Sequence, residues 1–168
     1  MTLRQYASTC TIAVCLSAIV VSALLAEGTV APSVSRVEVV LADGLKSQVA
    51  AVREEFVQAG LTNLHVQFAK LGQPPQNIGL GRDVPAERAR EAIRLALKYN
   101  LGVGILLPER LFPPRFVTIA SSNYDDTVEF PIDQAALTRL QNPNLTTEEF
   151  HRLYRTLTSS PAESKGRY

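Results

Sequence analysis

The residues best suited to acid–base or metal chemistry in this 168-residue chain are two histidines, His65 and His151, and one acidic run, Asn123-Tyr124-Asp125-Asp126. His65 falls in a strand-like stretch, and His151 falls on what the helical pattern makes an exposed face. No spacing brings the two together with other donors as metal ligands, so no metal and no cofactor are expected. General acid–base work needs two carboxyl groups held at a defined separation, whereas neighbouring acids in a loop splay apart. The run therefore reads as a solvated turn, or, with Ser122, as a loop facing a ligand: Ser122, Asn123, Tyr124, Asp125 and Asp126. A hydrolase using Asp43, Asp125 or Asp126 has only the residue types behind it. No Gly-x-Ser-x-Gly elbow is present, and no catalytic constellation emerges. Gly79-x-Gly81 sits between a strand and a helix, where phosphate loops occur. The full dinucleotide fingerprint and a Walker lysine are absent, so the glycines read as room for Arg82-Asp83 to turn into the helix.

Two stretches suit binding better than catalysis. Arg90, Arg94 and Lys98 recur every four residues and form one basic helix face, partly neutralised by Glu87 and Glu91. Such a face is either solvated or set against anionic headgroups or an acidic partner. The second stretch, Leu107 to Phe116 (LPERLFPPRF), joins prolines, which stiffen a loop, to arginine and aromatic residues, which are enriched at interfaces. It is read as a partner-binding loop through Arg110, Leu111, Phe112, Arg115 and Phe116. The competing reading is a strand connection whose Leu111 and Phe112 plug the edge of the core.

Seventeen basic and sixteen acidic residues leave a net charge of +1, too balanced for a nucleic-acid binder. Both cysteines, Cys10 and Cys15, lie near the amino terminus, so the rest of the chain carries neither a disulfide nor a reactive thiol. Thr11 to Ala26 (TIAVCLSAIVVSALLA) is uncharged, and the uncharged run from Gln5 is long enough for a single-pass anchor. The alternative is a cleaved signal peptide with a poor site near Val21-Ser22-Ala23. Arg4 places the amino terminus on the cytoplasmic side. The organisation expected is an anchor or signal segment over 1–27, a linker over 28–36, one domain over 37–158 and a disordered tail over 159–168. The domain is then periplasmic, tethered at the inner membrane or released by signal cleavage.

The elements that must position these residues follow from periodicity. Val37 to Ala42 is rich in β-branched residues and reads as a strand. Leu45, Val49, Val52 and Phe56 recur at helical spacing, with Gly60 as the stop. Leu64 to Ala69 alternates as a second strand. Asn77 to Gly81 is a third, and Asp83 and Pro85 open a helix buried through Ala86, Ala89, Ile93, Ala96 and Leu97. Asn100 ends that helix, and Gly102 to Leu107 is a fourth strand. The marks Asp43, Gly60 and Leu61 return forty residues later as Asp83, Asn100 and Leu101, so two strand–helix–strand units stand in tandem. That is the order of a ferredoxin-like βαββαβ core, an α+β fold with an antiparallel sheet and helices on one face. Arg115 to Ser121 is a strand appended to it, and Val128 to Ile132 is an edge-strand candidate. A short helix carries Ala136, Leu137 and Leu140. The last helix opens on a capping box, Thr146 with Glu149, and a staple, Leu145 with Phe150.

The stretch Asn77 to Ile105, NIGLGRDVPAERAREAIRLALKYNLGVGI, resembles the second half of a SPOR domain, a ferredoxin-like module of bacterial envelopes. In that family an aromatic residue follows the turn glycine, where this chain has Arg82. The resemblance implies a periplasmic module that binds peptidoglycan. The residues themselves favour a membrane-tethered accessory protein acting through protein–protein contacts in the envelope. A structural subunit of a larger membrane complex is the third alternative.

Overall fold

A computed structural model describes residues 33–70, 72–122 and 132–159. The apolar segment over 11–26, the acidic loop residues 123–126, most of the strand candidate 128–132 and nearly all of the tail lie outside them. Among the described residues no helix is long and apolar enough to cross a membrane.

The fold is α+β, with a five-stranded mixed sheet. Strand β1 (Arg36–Leu41) leads through a 3-10 segment, Asp43–Gln48, into α1 (Val49–Gln58) and then β2 (Leu64–Phe68). Strand β3 (Asn77–Leu80), α2 (Ala86–Tyr99) and β4 (Ile105–Leu107) form the second unit. After these come β5 (Phe116–Ile119), α3 (Gln134–Leu140) and α4 (Thr147–Thr158). Gly60 closes α1 at φ 74°, as its freedom from a Cβ allows. Asp83 makes no side-chain cap for α2, whose N-cap is Pro85. The capping box of α4 forms as its sequence predicts.

The element order agrees with expectation, but the antiparallel ferredoxin-like sheet does not form. The strand order is β2-β1-β5-β3-β4. Each strand–helix–strand unit pairs its own two strands in parallel, Val37 with Leu64 in one and Asn77 with Ile105 in the other. In a ferredoxin-like sheet those strands would be separated by a strand of the other unit. Strand β5, read from sequence as an appendix, is the centre of the sheet: parallel to β1 and antiparallel to β3. The physical reason is burial on both faces. Val117 and Ile119 point into the core while Thr118, from the other face, is also buried, an environment that an edge strand cannot provide. The start of the domain shifts too. Val34 is buried, and Ser35 donates from its N–H and its Oγ to the Arg115 carbonyl at 2.8 and 2.9 Å. The last linker residues therefore belong to the fold.

Both helices cover one face. Val37, Val39, Leu41, Ile78, Leu80, Val117 and Ile119 meet Val52 and Phe56 of α1 and Ala89, Ile93 and Ala96 of α2 in one core. The alanine stripe lets α2 lie close to the strands, and fully burying each large side chain contributes roughly 1.5–3 kcal/mol. Helix α4 packs beside β4 and α2. Its Tyr154 is wholly buried and donates its hydroxyl toward the Leu107 carbonyl at 2.8 Å, with the Ile78 carbonyl at 3.2 Å. Burial in this apolar setting raises the phenol's pKa, so it stays a donor.

Candidate functional site at the proline-rich loop

The segment from Pro108 to Phe116 is locked to the sheet by two glycines. A Cβ at Gly79 would overlap the Phe112 ring, and a Cβ at Gly81 would overlap the Pro113 carbonyl. Phe112 stacks on Phe116 with centroids 5.9 Å apart. The Pro114 carbonyl accepts from the Asp83 N–H at 2.6 Å. The glycines thus serve close approach of the loop, rather than the turn into α2 that the sequence suggested. Prolines fix φ along the segment, so the loop is a stiff platform. One turn of 3-10 helix, Glu109–Leu111, projects from it, leaving Arg110 exposed and Leu111 45% exposed. Phe112 faces inward, which agrees with the core-plug reading for that residue and not for Leu111.

Beside the loop lies a cavity of about 580 Å³. It is lined by Pro108, Phe112 and Pro114, by Arg82, Arg110 and Arg155, and by Thr158 and Ser159 from the end of α4. Glu109 of its lining belongs to a buried ion-pair cluster with His151 and Arg155. Glu109 is 7% exposed and His151 is 2% exposed. His151 Nδ1 lies 2.5 Å from Glu109 Oε1, and its Nε2 lies 2.7 Å from the Val84 carbonyl. Arg155 Nη1 reaches Glu109 Oε2 at 3.2 Å.

The Val84 carbonyl can only accept, so Nε2 carries a proton; with Glu109 as a carboxylate Nδ1 carries one too, and His151 is then an imidazolium. Burial works against that charge, but the Glu109 carboxylate and the Val84 carbonyl outweigh it and hold the pKa above its ordinary value. With both nitrogens engaged, His151 has no lone pair for a substrate proton. The sequence pattern set His151 on an exposed face; instead it is buried. Its place one residue after Phe150 and three before Tyr154 was the available signal. Glu109, a single acid amid prolines and apolar residues, was the other. Neither reveals its partner without the fold, since they lie 42 positions apart.

Arg115 is exposed and holds Ser35 through its backbone. Ser122 is exposed, and the rest of its loop lies outside the described residues. The basic face is engaged within the domain. Arg94 and Lys98 pair with Glu55 of α1 at 2.9 and 2.6 Å, and Arg94 also pairs with Glu91. Tyr99 donates to the same Glu55 carboxylate. Hydrogen bonds from Lys98, Tyr99 and Arg94 lower the Glu55 pKa to about 2. Arg90 donates to the carbonyls of Asn142 and Leu145, between α3 and α4. His65 is exposed on β2. Among the described residues no group of three or more His, Cys, Asp or Glu side chains is placed to hold a metal ion.

No protein-family model matches the chain, and no curated protein or solved structure is significantly similar to it.

Proposed function

We propose that this protein is a membrane-tethered binding or accessory module of the cell envelope, and that it engages a protein partner through the 108–116 loop and the adjoining cavity. The observation that carries this reading is the pairing of a stiff platform with exposed recognition groups. Phe112 and the two prolines are fixed against glycine slots, while Arg110 and Leu111 stand out into solvent beside the cavity. A preorganised loop binds without the ordering cost that weakens a mobile one. Arginine beside an apolar anchor is a composition that carries binding energy at interfaces. The tether is the apolar run over 11–26, which also sets the envelope location in this reading.

The test is site-specific photo-crosslinking in cells. A photoreactive residue at position 111 should give a discrete adduct, and Arg110→Gln should diminish it. The same residue at position 62, on the exposed turn before β2, should give none. Equal labelling at both positions would remove the loop as the recognition surface. The glycan alternative is checked alongside by sedimenting the chain with purified sacculi. Binding that resists moderate salt and ignores position 111 would favour peptidoglycan over a protein partner.

A further inference from the structure

The cavity beside the loop has an unbalanced charge inventory. Arg82, Arg110 and Arg155 converge on it, and the carboxylate in its wall is Glu109. Glu109 is already neutralised from below, because its Oε1 is held by the His151 imidazolium. Arg155 therefore shares a carboxylate whose charge is met by a buried cation. Arg82 has one weak ion pair, to Asp83 at 3.9 Å. Arg110 has no ion-pair partner among the described residues. Among the described residues, and with His151 charged, four cations at the cavity stand against two anions, Glu109 and Asp83, and the excess is positive. Pro108, Phe112 and Pro114 add apolar surface to the same lining.

We propose that this cavity is a carboxylate-binding site that takes an acidic residue of a peptide segment, with the adjoining apolar residue seated against Phe112. This rests on the reading of the loop as a partner surface and names what the partner must present. A guanidinium matches a carboxylate with two parallel hydrogen bonds, and an aromatic wall suits an apolar neighbour. A polyanion such as nucleic acid would need a basic field that a chain of net charge +1 does not offer. The buried pair has a defined part: His151 holds Glu109 Oε1 from the core and Arg155 holds its Oε2, which leaves Arg82 and Arg110 of the lining for the ligand carboxylate.

The experiment uses the full chain in neutral detergent, with arginine side chains labelled for NMR. The probe is phenylacetate, a carboxylate beside a ring with no peptide sequence to guess. Its uncharged twin is phenylacetamide, and phenyl phosphate is a third arm. The expected result is saturable shifts of the Arg82 and Arg110 Nε–H signals with phenylacetate in the millimolar range. The amide should bind at least tenfold more weakly. Arg110→Gln and Arg82→Gln should each weaken phenylacetate several-fold, and Arg139→Gln, an exposed arginine outside the cavity, should leave it unchanged. Raising the salt concentration should weaken it as well.

Equal binding of acid and amide, no saturable binding of either, or indifference to both arginine variants would overturn the proposal. Phenyl phosphate binding more than tenfold tighter than phenylacetate would also overturn it, in favour of a phosphate site. Both arginines are exposed, and circular dichroism of each variant checks that the fold is kept. If the position-111 adduct persists while the acid shows no preference, the carboxylate inference falls and the partner surface stands. If both fail, the loop reading falls with it.

Discussion

Replacing His151 with Leu should destabilise the domain by about 3 kcal/mol, and the figure follows from the environment of the ring. The substitution keeps bulk but removes two N–H donors. The Glu109 carboxylate loses its 2.5 Å partner at a site only 7% exposed, and the Val84 carbonyl loses a 2.7 Å donor. Breaking a buried ion pair from one side costs roughly 3–5 kcal/mol. Arg155 still holds Glu109 Oε2 from a solvent-facing position, which places the expectation at the lower end. For a domain of about 125 residues the unfolding entropy is about 0.25 kcal/mol/K, so Tm should fall by roughly 12 °C. The double variant His151→Leu with Glu109→Leu should recover more than half of the loss, because an apolar pair of similar volume replaces a buried ion pair at little cost.

The same pair gives a pH signature with a defined sign. The folded-state pKa of His151 is raised above the ordinary 6.5. The folded state therefore binds its proton more tightly than the unfolded chain does. The stabilisation is fully present below pH 6.5 and is lost as pH rises through the raised folded value. One proton limits the slope to about 1.4 kcal/mol per pH unit. Thermal unfolding followed by circular dichroism from pH 6 to 9 should show Tm falling with pH, and Glu109→Gln should flatten that slope. A wild-type Tm independent of pH across this window, or a His151→Leu cost below 1 kcal/mol, would refute the assignment of a buried imidazolium–carboxylate pair.

Gly81→Ala should cost about 1–3 kcal/mol, since its Cβ would overlap backbone rather than a movable side chain. By displacing the loop it should also diminish the position-111 adduct, which the crosslinking assay reads. Glu55→Gln removes a carboxylate 22% exposed and shared by the exposed Lys98 and Arg94 and by Tyr99, and should cost about 1 kcal/mol at neutral pH. The Glu55 pKa is depressed to about 2 in the folded state. Its contribution is therefore present above pH 4.5 and disappears as pH falls toward 2, so wild-type and variant Tm values should converge in acid.

The amino-acid sequence by itself determined the elements. Helical and two-residue periodicities placed β1 through α2 within a few residues, and the Thr146–Glu149 capping box located the start of α4, because these signals are carried by neighbours three or four positions apart. It also singled out the 107–116 segment, since prolines act on their own backbone wherever they fall. Strand pairing was decided only in three dimensions. The same strand–helix–strand order serves an interleaved antiparallel sheet or two parallel pairs, and the choice rested on β5 being buried on both faces, a property of its surroundings. The site was decided there as well. Glu109 and His151 are ordinary residues 42 positions apart until the fold buries them together, and burial forces the charges to pair, with Arg155 joining them and Arg82 and Arg110 left to line the cavity.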